Sequence, residues 1–255
     1  MQDKLNRFIE KNMDWGNKTY LITGGTSGIG LQVATDLAAK GAKVVIVGSN
    51  PTKLEHAVSQ LPTENYGICF DLKNLNKIGD IFAQCAEWSI VFDGMVHCAG
   101  ISPLMLVREN DVQTMLDTFA VNYFSFVELV KYFQREMTSA SAASIVAISS
   151  ITASQASNRQ SVYGSSKAAL EETVRCLAKE LMLRHIRVNA VAPGVVESEM
   201  LAQLETKSNG IARSPLGIIP AEQVSRLILY LLSDDAAYMT GSILKMDAGH
   251  DVWLR

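Results

Sequence analysis

Lys18-Thr-Tyr-Leu-Ile-Thr23 runs without a break into Gly24-Gly-Thr26-Ser27-Gly28-Ile29-Gly30. Behind it Ile29, Val33, Leu37 and Ala38 fall on one side of a helix expected from about Gly28 to Lys40. A short apolar strand, a glycine-rich turn and a helix in this order are half of a β-α-β unit. The glycines let the backbone approach a pyrophosphate closely, and the unpaired N–H groups and positive dipole end of the helix hold its charge. The glycine spacing is Gly-x-x-x-Gly-x-Gly, a variant of the common dinucleotide fingerprint, and its position between strand and helix gives it weight.

Outward from this unit the alternation continues. Strands are expected at Lys43 to Val47, Tyr66 to Phe70, Val91 to His97, 144 to 149, Ile186 to Val191 and Ser242 to Met246. They are nearly continuous apolar runs, separated by helical patterns at 108 to 136, Tyr163 to about Arg184 and Ala221 to Leu232. Such runs belong to parallel strands buried on both faces, so the sequence predicts an α/β fold. It is a Rossmann-type doubly wound parallel sheet of about seven strands, three-layered, with helices on both faces. Residues 17–255 read as one domain and residues 1–16 as an extension, in which Leu5, Phe8, Ile9 and Met13 recur at helical spacing. Residues 195–219 contain two prolines and no strong period, as expected of a mobile lid over a pocket.

The chain has 255 residues, 48% hydrophobic and 19% charged, with a net charge of -3 and scattered basic residues. That balance disfavours nucleic acid and anionic membrane as partners. No apolar run approaches a membrane span and the first fifteen residues lack a signal-peptide core, so the expected location is the cytoplasm. Cys69, Cys85, Cys98 and Cys176 form no Cys-x-x-Cys, and His56, His97, His185 and His250 show no ligand spacing. No metal site is expected.

Chemistry enters at Ser161-Val-Tyr163-Gly-Ser-Ser-Lys167. Tyr163 and Lys167 are four residues apart and share one face of a helix, where a neighbouring ammonium favours the phenolate and lowers the tyrosine pKa. Ser150 ends the apolar strand, at the carboxyl edge where open α/β sheets hold substrates. Asn122 interrupts the apolar run Phe119-Ala-Val-Asn122-Tyr-Phe, which is costly unless its amide is paired, so it is either a tie on a backbone or part of a site. The second strand ends in Gly48-Ser49-Asn50, and the first acid after it is Glu55. A missing strand-end carboxylate favours NADP(H) over NAD(H), with Ser49 and Asn50 facing the 2′-phosphate and Lys53 within reach. The same residues also suit the cap of the next helix.

Thr23-Gly-Gly-Thr-Ser-Gly28-Ile-Gly30, Asn122, Ser150, Tyr163-x-x-x-Lys167 and Pro193-Gly194 occur in the order and spacing of the classical short-chain dehydrogenase/reductase family. The chain resembles that family over about residues 17 to 249, with a flavour of the bacterial 3-oxoacyl-carrier-protein reductases. The resemblance implies an NAD(P)-dependent oxidoreductase, most simply one reducing a ketone with NADPH. Tyr163 would be the general acid, Lys167 its pKa-lowering and ribose-binding partner, Ser150 a donor to the substrate oxygen and Asn122 a member of the proton supply. It further implies cofactor contacts at Gly24, Thr26, Ser27, Gly28, Ile29, Gly30, Asp71, Leu72, Ala99, Gly100, Pro193, Gly194, Val196 and Ser198. A homotetramer or dimer, paired through the 108–136 and 160–184 helices, and a small carbonyl or alcohol substrate follow from the same source, with acyl carrier protein as a possible partner. Two alternatives remain: a catalytically inactive dinucleotide-binding scaffold and an NAD-dependent alcohol dehydrogenase. The chain departs from the family's Asn-Asn-Ala-Gly with His97-Cys98-Ala99-Gly100, which removes an amide that ties neighbouring strands.

Overall fold

The computed structural model describes residues 15–62, 64–135, 138–198, 201 and 214–253. Seven parallel strands form one sheet in the order β3-β2-β1-β4-β5-β6-β7. They are β1 Thr19–Thr23, β2 Lys43–Gly48, β3 Tyr66–Cys69, β4 Phe92–His97, β5 Ser139–Ile148, β6 Ile186–Pro193 and β7 Ile243–Met246. The order reverses between β1 and β4, and a crevice opens there beyond the carboxyl ends of the strands.

Alternate residues of each strand feed two separate cores. Leu21, Val45, Val47, Ile145, Ala147 and Val188 face three helices, α3 (Ile78–Glu87), α5 (Ser125–Phe133) and α6 (Ser161–Leu181). Tyr20, Ile22, Val44, Ile46, Val146 and Val191 face α1 (Gly28–Ala39), α2 (Pro51–Ser59) and α7 (Ala221–Leu232). This is the expected three-layer sandwich. No described helix is long and apolar enough to cross a membrane.

Two boundaries differ from the sequence reading. β5 begins at Ser139, five residues early, and shifts register between the pairings Phe92↔Ser139 and Gly94↔Ser144. Ser139-Ala-Ser-Ala-Ala has no apolar signal, and its pairing is made by the backbone. The helix expected from 108 starts at Val112 as α4 (Val112–Phe119), capped by the Asp111 carboxylate, which accepts from the Thr114 amide at 2.8 Å. It reaches α5 through one π-helical turn, Ala120–Phe124, which contains Asn122. Such turns are frequent at functional sites.

The amphipathic pattern at residues 3–13 lies outside the described residues, as does most of the segment 195–219. The ends of that segment are tied together by a bridge between Val196 and Ile219.

Candidate active site

The glycine turn owes its shape to close packing. A Cβ on Gly24, whose φ is +66°, would lie 2.7 Å from the Ala99 amide nitrogen, and one on Gly30 would lie 2.4 Å from the Gly24 carbonyl oxygen. Ser27 is the N-cap of α1 with extended backbone and no capping bond from its side chain, and no acid stands in the first turn. The amides of Gly28, Ile29 and Gly30 belong to that first turn, whose N–H groups helix geometry leaves without intrahelical partners. Gly28 sits at φ +52°, and a Cβ there would come 3.4 Å from the Ser198 Cβ, so a side chain would fill the gap between this turn and the segment after β6. A diphosphate fits such a cradle.

At the end of β2, the Asn50 side chain caps α2, accepting from the Lys53 amide at 3.0 Å. Its carbonyl oxygen is therefore occupied, as the capping alternative expected. Ser49 is exposed beside it. The Asp71 carboxylate accepts from the Lys73 amide at 3.0 Å and lies 3.8 Å from its ammonium. Leu72 turns its side chain into the core. Ala99 and Gly100 leave β4 over the same crevice, and Pro193, Gly194, Val196 and Ser198 leave β6. The Gly194 amide is bound to the Met246 carbonyl, and the Ser198 hydroxyl accepts from the Leu201 amide at 3.2 Å.

Ser150, Tyr163, Lys167 and Asn122 come together from three elements, β5, α6 and the π-helical turn. Ser150 is almost buried at the end of β5. Its oxygen accepts from the Thr152 amide at 3.2 Å and from the Thr152 hydroxyl at 2.9 Å. Both acceptor positions are used, so the Ser150 O–H is directed elsewhere. Tyr163 stands on the first turn of α6, held against Ser150 by Gly164, where a Cβ would sit 2.8 Å from the Thr152 carbonyl. The Lys167 ammonium, one turn along, donates to the Ile148 carbonyl at 2.8 Å and lies 5.9 Å from the centre of the Tyr163 ring. A Cβ on Gly100 would be 3.4 Å from both this ammonium and the Asn122 carbonyl oxygen.

Asn122 is fully buried and fully engaged. It accepts from the Ile101 amide at 2.8 Å and donates to the Ile101 carbonyl at 3.0 Å and to the Ser166 hydroxyl at 2.9 Å. Ser166 in turn donates to the Tyr163 carbonyl at 2.7 Å. The asparagine thus ties the segment following Gly100 to the turn that carries the tyrosine.

One expectation is reversed. Burial pushes the Tyr163 phenol up, with the facing Ser150 hydroxyl working weakly the other way. Lys167 does not lower it, because burial also drives the ammonium down, to about 8, and its short hydrogen bond is to a carbonyl.

Spacing alone missed Thr152, Ser166 and Gly164. The signal for the last was present, since glycine disfavours a helix interior and needs a reason to follow Tyr163 there. His97 replaces the absent strand tie: its Nδ1 lies 2.9 Å from the Thr23 hydroxyl across β4 and β1. Cys98, expected in the core, is half-buried and packs against its edge, its thiol pushed up to about 12 by burial.

Residues 24–251 match the family described as Enoyl-(Acyl carrier protein) reductase. The chain is 32% identical over 245 residues to 3-oxoacyl-[acyl-carrier-protein] reductase FabG of Chlamydia trachomatis, covering 91% of this chain and 97% of that one. A solved structure named a short chain dehydrogenase/reductase family protein is 33% identical, with a TM-score of 0.84 over 93% of this chain and 98% of that one. The structure titled ElxO with NADP Bound is 27% identical, with a TM-score of 0.81 over 92% and 99%.

Proposed function

The chain belongs to the classical short-chain dehydrogenase/reductase family, and on that premise we propose that it reduces a ketone to a secondary alcohol with NADPH, Tyr163 serving as the general acid. That it is an oxidoreductase using an NAD(P)-type dinucleotide at CH–OH/C=O follows from the family. The finer reading rests on one observation: two hydroxyl donors converge at the carboxyl end of β5. The Ser150 hydroxyl, which accepts twice from Thr152, faces the phenol of the buried Tyr163. A pair of donors suits a carbonyl oxygen that gains negative charge.

A nicotinamide dinucleotide, when bound, would supply the hydride for the carbonyl carbon. Tyr163 delivers its proton to the oxygen, and Ser150 holds that oxygen in place. Lys167, whose ammonium is pushed down to about 8, is well poised to give a proton back near neutral pH. Asn122 keeps Ile101 and Ser166 fixed around the pair. Acid–base groups of this kind typically contribute about 10² to 10⁴ in rate.

The residues that would hold the cofactor are Gly24, Thr26, Ser27, Gly28, Ile29 and Gly30 for the diphosphate, and Asp71, Leu72, Ala99 and Gly100 for the adenosine side. Tyr163, Lys167, Pro193, Gly194, Val196 and Ser198 would hold the nicotinamide side. Ser49 supports NADPH over NADH, since it is exposed at the strand end and no carboxylate stands there to repel a 2′-phosphate. Asn50 would take part through its remaining amide N–H groups.

We read residues 17–255 as the catalytic unit, 1–16 as an extension leading to Trp15, which packs on Tyr20 at 5.7 Å, and 195–219 as a cover over the cleft. Subunit pairing through the 108–136 helix is supported by Val112, Leu116 and Phe124, large apolar side chains exposed along it. Met182 and Leu183, just past α6, are exposed in the same way.

The test is Tyr163→Phe, assayed beside the parent by fluorescence titration with NADPH and NADH and by ketone turnover. The variant is expected to bind NADPH as the parent does while turnover falls about 10²-fold or more. Unchanged turnover would overturn the role of Tyr163. Tighter binding of NADH by the parent would point to an alcohol dehydrogenase, and binding of neither to a scaffold.

A further inference from the structure

Arg159 holds a backbone conformation that costs it energy. Its φ is 65°, in the left-handed region where a Cβ crowds the chain, and it lacks the short polar side chain that lets Asn or Asp rest there. A residue stays in such a position when its surroundings over-determine it. For Arg159 those surroundings are the opposite wall of the cleft.

The cleft above Ser150 and Tyr163 runs between two segments. Residues 101–109 leave β4 after Gly100, and residues 150–160 leave β5. Arg159 joins them three times. Its carbonyl accepts from the Met105 amide at 2.9 Å, its Nη2 donates to the Leu104 carbonyl at 3.3 Å, and the guanidinium lies 3.6 Å from the Glu109 carboxylate. Glu109 is itself fixed by the Leu106 amide, which donates to it at 2.9 Å. Gln160 adds a fourth tie, donating to the Ser102 hydroxyl at 3.2 Å. The Arg159 Nε is buried without a hydrogen-bond partner among the described residues, a second cost accepted at this position.

We propose that Arg159 is a specificity-determining residue: by stapling residues 102–109 to the turn before α6 it closes the outer end of the cleft, so that the site admits carbonyl compounds with short substituents and refuses long acyl chains. The staple lies four residues before Tyr163 in the chain, at the turn that opens α6. This inference rests on the reductase reading of the same cleft.

Arg159→Gly is the informative variant, because glycine adopts φ 65° freely and the fold keeps its backbone while losing the side-chain ties. With NADPH present, kcat/KM is measured for the 3-oxobutanoyl and 3-oxooctanoyl thioesters of N-acetylcysteamine. The binding of both thioesters is measured by calorimetry, and hydrogen exchange is followed over residues 101–109. The parent is expected to prefer the short thioester, and R159G to raise the long-to-short ratio by at least about tenfold. Exchange at 101–109 should quicken in R159G, and R159K, which keeps charge but loses the planar fork, should fall between. A parent that prefers the long thioester, or a ratio unmoved in R159G, overturns the proposal. Absence of turnover in the parent would count against the reductase reading, and the binding ratio would still decide the role of Arg159.

Discussion

Protonation of His97 should set the acid limit of this fold. The imidazole closes β4 fully buried, its Nδ1 on the Thr23 hydroxyl and its ring 5.4 Å from that of Phe126. Burial, with a smaller contribution from the Lys167 ammonium, pushes it down to about 3 from 6.5. The native chain therefore binds fewer protons than the unfolded chain between those two values. Stability is complete above pH 6.5 and is lost as the pH falls toward 3. Relative to pH 7, the histidine costs about 2 kcal/mol at pH 5 and on the order of 5 kcal/mol near pH 3. Against a total of about 5–15 kcal/mol this is visible. His97→Asn keeps a polar partner for Thr23 and removes the titration. Urea unfolding of both proteins, followed by tryptophan fluorescence at pH 7 and pH 5, cancels every other titrating group in the comparison. The parent should lose about 2 kcal/mol more than H97N over that interval. Equal losses would refute the reasoning, because they would mean that the folded imidazole takes up its proton as readily as the unfolded one.

Ser49→Asp puts a carboxylate at the end of β2. NADPH affinity should fall by roughly tenfold or more while NADH affinity holds, as fluorescence titration would read, since two like charges a few ångströms apart repel by about 1 to 4 kcal/mol. Gly30→Ala drives a methyl group into the Gly24 carbonyl, 2.4 Å away, and is expected to destabilise the fold by about 2–3 kcal/mol and to abolish dinucleotide binding. A cofactor titration and a thermal melt would detect both effects. Asn122→Ala strands the Ile101 amide and carbonyl and removes the donor to the Ser166 hydroxyl, so chemical denaturation should show a loss of about 2–4 kcal/mol, with turnover falling as Tyr163 loses its support.

The sheet was legible because its strands announce themselves twice, as apolar runs and by the turn residues that end them. Gly24, Gly48, Gly100 and Gly194 each follow or close a strand at the carboxyl edge, and six of the seven strands lie within two residues of the stretches read from the chain. β5 was read short because Ser139-Ala-Ser-Ala-Ala pairs through its backbone and its side chains carry no pattern. The meeting of Asn122, Ser150, Tyr163 and Lys167 was legible from order and spacing. The ties that hold them there were not. Ser166 and the staple at Arg159 act across elements far apart in sequence, and Thr152 reaches Ser150 from an irregular turn, and neither periodicity nor motif spacing reports such contacts.

The tyrosine shows where spacing stops being chemistry. Two side chains four residues apart on a helix do share a face, and Lys167 does lie beside the Tyr163 ring. Whether that cation lowers the phenol depends on which group loses more hydration and on where the ammonium spends its donors. Here both groups are buried, and the ammonium donates to the Ile148 carbonyl. Desolvation then dominates, favouring the neutral form of each. A raised phenol stays protonated at neutral pH but gives up its proton less readily than a free one. The acid role proposed for Tyr163 therefore rests on where it stands, facing Ser150 at the end of β5, and not on a tuned pKa.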